Sequence, residues 1–196
     1  MKRIIDFLFS LIGLVILIIP FIFIALLIKI KMPGPVFFVQ SRVGRNGKLF
    51  KLFKFRTMSV ASGKTSGSFD AGDSSRITPL GSVLRKTKMD ELPQLINVFV
   101  GDMSIVGPRP EVQQWTQIYP DQWKIVHRIR PGITDNASIM FRNEEEILAN
   151  SQDPTLTYKE EILPKKLRMY IDYVENHSVL MDAKIILTTI KEIIIK

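Results

Sequence analysis

The chain has 196 residues, 46% of them hydrophobic, and carries a formal net charge of +8 at pH 7. That length suits one modest domain with a small attachment, and the charge points to an anionic partner: a nucleotide, an anionic lipid or nucleic acid. The absence of cysteine excludes disulfides and thiolate catalysis, no Walker A or dinucleotide-binding glycine pattern occurs, and His127 and His177 form no metal-binding pattern.

Residues 7–28, FLFSLIGLVILIIPFIFIALLI, contain no charge. The stretch is long enough to cross a bilayer core of about 30 Å as a helix, and no small-residue cleavage site follows it. Two details argue against a straight span. Pro20 removes a helical hydrogen bond and predicts a kink there. Lys2 and Arg3 flank one end while Lys29 and Lys31 flank the other, so positive charge gives no orientation. A helix-break-helix hairpin that enters and leaves by the cytoplasmic face satisfies both. Asp6, one turn from Lys2 and Arg3, reads as their partner near the headgroups or as a plain interfacial charge.

Met32-Pro33-Gly34-Pro35 stops the helix. VFFVQSRV and KLFKLFKFRTM, either side of Gly44-Arg45-Asn46-Gly47, predict a β-hairpin. The second run interleaves Phe50, Phe53 and Phe55 with Lys48, Lys51, Lys54 and Arg56. Such interleaving can signal nucleic-acid binding. Here the charges follow a membrane segment and anionic headgroups explain them, so anionic membrane lipids are the expected partner and nucleic acid is not. Lys54 and Arg56 are candidates to reach a substrate phosphate, the plain alternative being solvated cations. Residues 61–75, ASGKTSGSFDAGDSS, predict a mobile polar loop, either a connector or a lid.

Arg76–Lys88 predicts a short amphipathic helix, and Asp90-Glu91-Leu92-Pro93 a helix start. Spacing leaves two readings of the acid pair. In one, Asp90 caps the helix and Glu91 complements its dipole. In the other, both carboxylates face one ion at a helix entrance, with Asp90 kept ionised by the helix N-terminus and by Arg85 or Lys88. An ionised Asp can attack phosphorus, and a neighbouring acid can bind Mg²⁺. Arg109, stiffened between Pro108 and Pro110, could grip a phosphate or a base edge, or pair with a carboxylate such as Asp102. Trp115–Arg128, Tyr158–Tyr173 and Val179–Ile194 predict helices, with Trp115, Tyr119 and Trp123 either at a membrane interface or in the core.

These motifs together resemble the bacterial sugar transferase family, the monotopic phosphoglycosyl transferases. KRIIDF before the apolar run, PGPVFFVQSRVGRNGKLFKLFKFRTM, LGSVLRKTKMDELPQLINVFVGDMSIVGPRP and RPGIT carry the resemblance over most of the chain. It implies an α-rich α/β fold: an N-terminal re-entrant membrane hairpin over 1–31, broken at Pro20, and a small cytoplasmic catalytic domain over 32–196 with amphipathic interfacial helices. It implies transfer of a phospho-sugar from a UDP-sugar to a polyprenol phosphate at the bacterial inner membrane, releasing UMP. By resemblance Asp90 is the nucleophile, Asp90 and Glu91 serve Mg²⁺, and Arg85, Lys54, Arg56, Pro108, Arg109 and Pro110 surround the donor. Homo-oligomerisation is left open. After RPGIT the chain reads DNASIMFRNEEE and departs from the family's usual sequence, leaving the sugar undefined. The acids at 144–146 read as a helix start or as a contact to an amino-bearing sugar. The rival to catalysis is a membrane-anchored basic scaffold.

Overall fold

In the computed structural model, which describes residues 2–60 and 75–194, the apolar N-terminal run forms two helices, α1 (Lys2–Ile16) and α2 (Ile18–Lys31), bent by 61°. The break falls at Leu17, not at Pro20 itself. Pro20 is nevertheless its cause in physical terms: it lacks an N–H, and its ring crowds the carbonyl four residues earlier, that of Ile16. The ladder holds on either side, with Leu17 N–H donating to Gly13 at 2.9 Å and Phe21 N–H to Leu17 at 2.8 Å. Neither helix alone is long and apolar enough to cross a membrane; the bent pair passes that test only together.

The charged start of α1 does not point at headgroups. Asp6 is buried, its Oδ2 accepting from Ser104 Oγ at 2.8 Å and its Oδ1 from Ile105 N–H at 3.1 Å. Arg3 donates to the carbonyls of Val98 and Phe99, and Lys2 pairs with Asp182. Both sequence readings of Asp6 are thereby replaced, because the charges have buried polar partners far along the chain.

β1 (Phe37–Val43) and β2 (Leu49–Phe55) pair antiparallel from Phe37–Phe55 to Val43–Leu49, as the two β-prone runs predict. The link turns through Asn46 (φ 58°) and Gly47 (φ 74°), left-handed conformations that Asn and Gly tolerate best. The polar loop expected over 61–75 lies, apart from Ser75, outside the described residues.

α3 (Pro79–Lys86) starts at a Thr78 cap, whose Oγ1 accepts from Gly81 N–H at 3.0 Å, with Pro79 in the first turn. Gly81 lets α3 touch the chain just beyond β2: a Cβ there would lie 1.9 Å from the Thr57 carbonyl oxygen. Backbone cannot yield as a side-chain tip can. Gly81→Ala is therefore expected to cost about 2–3 kcal/mol or more and to push α3 off Thr57. A melting curve of the variant checks this.

α4 (Gln94–Val100) ends at Gly101 (φ 102°); it packs on β2 through Val98 against Leu52 and is hydrogen-bonded to that strand by one side chain. Buried Asn97 donates from Nδ2 to the Lys51 carbonyl at 2.7 Å and accepts from Phe53 N–H on Oδ1 at 3.1 Å. Removing it orphans two backbone groups of β2. Asn97→Ala should destabilise by about 2–4 kcal/mol, measured by chemical denaturation, since each unpaired buried group costs about 1–3 kcal/mol.

A second sheet joins distant segments. β3 (Ser104–Val106) pairs parallel with β4 (Gly132–Thr134), after α5 (Gln113–Thr116) and α6 (Pro120–Val126). The helix expected over Trp115–Arg128 is thus two, since Pro120 opens a new one. The remaining helices are α7 (Asn136–Met140), α8 (Glu144–Ala149), α9 (Pro154–Thr157), α10 (Leu163–Asn176) and α11 (Val179–Ile194), with a π-helical turn over Tyr158–Ile162 before α10. The acids at 144–146 form the first turn of α8, as a helix-start reading requires. Trp115 and Trp123 pack with Tyr158, Leu163, Leu167 and Tyr170, so they serve the core rather than a membrane surface. A second cluster ties α2 to the domain through Ile24, Ile28, Met32, Phe55 and Leu84.

Candidate active site

The acid pair sits on a turn that the backbone strains to make. Lys88 adopts φ 57°, a left-handed conformation that costs a non-glycine residue roughly 1–2 kcal/mol. It swings the chain out of α3 into a 3₁₀ turn, Met89–Glu91, before α4. Asp90 caps nothing: the residue before α4 is Pro93, and no side chain bonds that helix end. The capping reading fails because the 3₁₀ turn intervenes between the acid pair and the helix.

The two carboxylates meet different surroundings. Glu91 is tied to two cations. Its Oε1 accepts from Lys54 Nζ at 2.9 Å, and Arg109 donates Nη1 to Oε2 at 3.2 Å and Nη2 to Oε1, a two-pronged pair. Asp90 is 8% exposed, and neither of its oxygens takes a hydrogen bond from a described residue. Burial pushes the Asp90 carboxyl up, and Lys54 opposes that while Glu91 adds to it; Lys88 and Arg85 oppose it more weakly. Burial would raise Glu91 too, yet Arg109 and Lys54 outweigh it and hold the carboxyl well below the usual range. Glu91 in turn raises Arg109, while burial lowers the Lys54 ammonium. One acid is a neutralised anchor; the other is an uncommitted oxygen pair facing cations.

The supporting elements are identifiable. β2 delivers Lys54. Arg85, near the end of α3, is aimed by Thr57, whose Oγ1 accepts from its Nε at 3.0 Å, and its Nη1 reaches Glu145. Arg109 rides a corner pinned to β4, with Gly107 N–H donating to Thr134 at 3.1 Å and Gly132 N–H to the Pro108 carbonyl at 2.9 Å. Only glycine fits that crossing, since a Cβ on Gly132 would lie 2.1 Å from Gly107 N. Pro110 accepts from Arg42 at 3.3 Å, which also pairs with buried Glu111. An open groove of about 660 Å³ between α7, α8 and α11 is lined by none of these candidates.

The family model for bacterial sugar transferases matches residues 1–196. The chain belongs to the bacterial sugar transferase family. It is 37% identical over 172 residues to the UDP-glucose:undecaprenyl-phosphate glucose-1-phosphate transferase of Escherichia coli, covering 85% of this chain and 34% of the relative. It is 34% identical over 173 residues to the UDP-N-acetylgalactosamine-undecaprenyl-phosphate N-acetylgalactosaminephosphotransferase of Aeromonas hydrophila, covering 87% of this chain and 38% of the relative. The exopolysaccharide production protein PSS of Rhizobium leguminosarum matches at 37% over 202 residues, 97% of this chain and 93% of the relative. The chain thus spans only about a third of the first two relatives.

Here the structure brings Lys54 and Arg109, each remote in sequence, to the segment that carries Arg85, Asp90 and Glu91, and sets Arg56 aside. Arg56 is buried, and its guanidinium donates to the carbonyls of Met32, at the end of α2, and Pro33, the latter at 2.9 Å. It caps a helix C-terminus rather than reaching for a phosphate, because helix-end carbonyls have no partner within the helix. Arg109 finds Glu91 and not Asp102. From the sequence, Thr57 is reached only as part of KFRTM, and Glu145 only within the acids at 144–146, as a helix start or a sugar contact and not as a partner of Arg85. No local signal marks Glu145 as a neighbour of Arg85.

Among the described residues no group of three or more Asp, Glu or His could hold a metal by itself. Mg²⁺ needs less: one or two carboxylates with substrate phosphates and water. The free oxygens of Asp90 fit that role. Glu91 has both oxygens engaged, so it fits better as the anchor of Lys54 and Arg109.

Proposed function

We propose that this protein transfers a phospho-sugar from a UDP-sugar to a polyprenol phosphate through a covalent intermediate on Asp90. The observation that carries the reading is the free, buried Asp90 carboxylate beside Lys54, Lys88, Arg85 and the Glu91–Arg109 pair. The reactions named for the E. coli and Aeromonas relatives support it.

An Asp90 oxygen attacks the phosphorus that bears the sugar. The bond from that phosphorus to UMP breaks, and UMP leaves with the electron pair. A phosphate oxygen of the polyprenol phosphate then attacks the same phosphorus. The bond to Asp90 breaks, which restores the carboxylate and leaves a polyprenol-diphospho-sugar. No net proton transfer is needed, so the residues act by charge and placement. Arg85, Lys54 and Arg109 neutralise phosphate oxygens, Glu91 fixes the last two, and the Pro108–Pro110 corner keeps Arg109 from wandering. When bound at Asp90, Mg²⁺ supplies further charge neutralisation on the diphosphate.

The N-terminal pair, residues 1–31, is the membrane hairpin in this reading, and 32–196 the catalytic domain on the cytoplasmic face of the bacterial inner membrane. Exposed Ile4, Phe9, Ile12, Val15, Ile19 and Phe23 would be a liability in water and are natural in lipid. The Arg56 cap and the Asp6–Ser104 bond join hairpin to domain, which brings a lipid-borne acceptor to the same carboxylate as a soluble donor.

The test is UMP release from a panel of UDP-sugars by wild-type protein with Mg²⁺ and polyprenol phosphate, together with intact-mass analysis after donor alone. At least one donor should release UMP and leave a phospho-sugar mass on Asp90. Release without any adduct, with sequential kinetics, would rule out the covalent route.

A further inference from the structure

Arg85 and Glu145 are tied across the site by contacts of unequal quality. The arginine is positioned by the protein: Thr57 Oγ1 fixes Nε at 3.0 Å. Glu145 reaches it from solvent, with Nη1 lying 3.0 Å from Oε1 and 3.1 Å from Oε2. The side chain of Arg85 is 27% exposed and that of Glu145 is 76% exposed. Glu145 has no other partner among the described residues, whereas its neighbour Glu144 pairs with buried Lys166 and so belongs to the packing of α8. The fold therefore does not need Glu145 where it is.

A carboxylate on an arginine presents the same acceptors as a phosphate. We infer that Glu145 occupies the donor-phosphate place on Arg85 and is displaced when a nucleoside diphosphate binds. This inference rests on the proposed role of Arg85 at the donor. A diphosphate carries more charge than one carboxylate and wins the exchange. The contact is suited to displacement: an ion pair with so exposed a partner biases an equilibrium by only about two- to five-fold. Glu145 thus sets donor affinity without touching the chemistry, and it does so from the segment where the chain departs from the usual family sequence.

The experiment measures UDP affinity by calorimetry for wild type, Glu145→Ala, Glu145→Gln, Arg85→Gln and the Arg85→Gln/Glu145→Ala double variant, all full-length in the same lipid nanodiscs. UMP release is followed in parallel. Removing the carboxylate should tighten UDP binding about two- to five-fold and lower donor KM equally, with kcat unchanged. The gain should shrink with added salt and vanish in the Arg85→Gln background. Unchanged or weaker UDP binding in Glu145→Ala would overturn the inference, as would the same gain without Arg85, a KM change confined to one sugar, or no UDP binding by wild type and variant alike. Failure of wild type to release UMP would instead strike the proposed reaction, and the UDP affinities would still decide the role of Glu145.

Discussion

Asp90→Asn is expected to lower UMP release by about 10⁴-fold or more, the scale on which a covalent nucleophile is lost. Asn is nearly the same shape and cannot form an acyl-phosphate, so no phospho-sugar mass should remain on the protein. Stability should move the other way. Burial raises the Asp90 carboxyl, which means the folded state disfavours the anion. Such a group costs stability once the pH exceeds its folded value, and the cost disappears below the unfolded aspartate value near 3.9. Asp90→Asn should accordingly melt at or above the wild-type temperature at neutral pH, with the difference fading in acid. With the anion as the proposed nucleophile, wild-type activity should fall on the acid side with an inflection above the ordinary aspartate range. A variant that lost activity by unfolding would melt lower, and one that retained an adduct would remove Asp90 from the mechanism.

Glu91→Gln should have the opposite profile. It leaves Lys54 and Arg109 with an uncharged partner in a partly buried site, where removing one member of an ion-paired set costs about 3 kcal/mol. At roughly 2–4 °C per kcal/mol for a chain of this size, Tm should drop by about 6–12 °C. The sign with pH is fixed by the depressed Glu91 carboxyl: its stabilisation is present above the unfolded glutamate value and is lost as pH falls through the folded one. The gap between variant and wild type should therefore close in strong acid. Activity should fall by about 10²–10³-fold, because the two cations proposed to meet the donor phosphates lose their placement. The Mg²⁺ concentration for half-maximal activity separates an anchor from a ligand. An anchor leaves it unchanged; a marked rise in Glu91→Gln would make Glu91 a metal ligand.

The dyad and its basic neighbours were visible in the sequence because they lie within one short segment, and KFRTM and PRP because they are short motifs on stiff or extended backbone. Which partner each would find was not visible. Glu91 takes Lys54 and Arg109, while Arg56, two residues from Lys54, turns to the carbonyls of Met32 and Pro33. The strand β2 ends between them, at Phe55, so the alternation that would have put both cations on one side does not carry through.

Local chemistry settled the broken apolar N-terminus, the hairpin around Asn46-Gly47, the capped start of α3 and the helices near the C-terminus, since proline, glycine, caps and apolar spacing act within a few residues. It also placed a membrane-anchored transferase among the readings, because enough short motifs occur in order. Tertiary structure alone decided the parallel pairing of β3 with β4, the burial of Asp6 against Ser104, the Arg56 cap and the meeting of Arg85 with Glu145. Each of these joins residues remote in the chain. Their hydrogen bonds depend on which surfaces the packed helices bring together, and no local propensity encodes that.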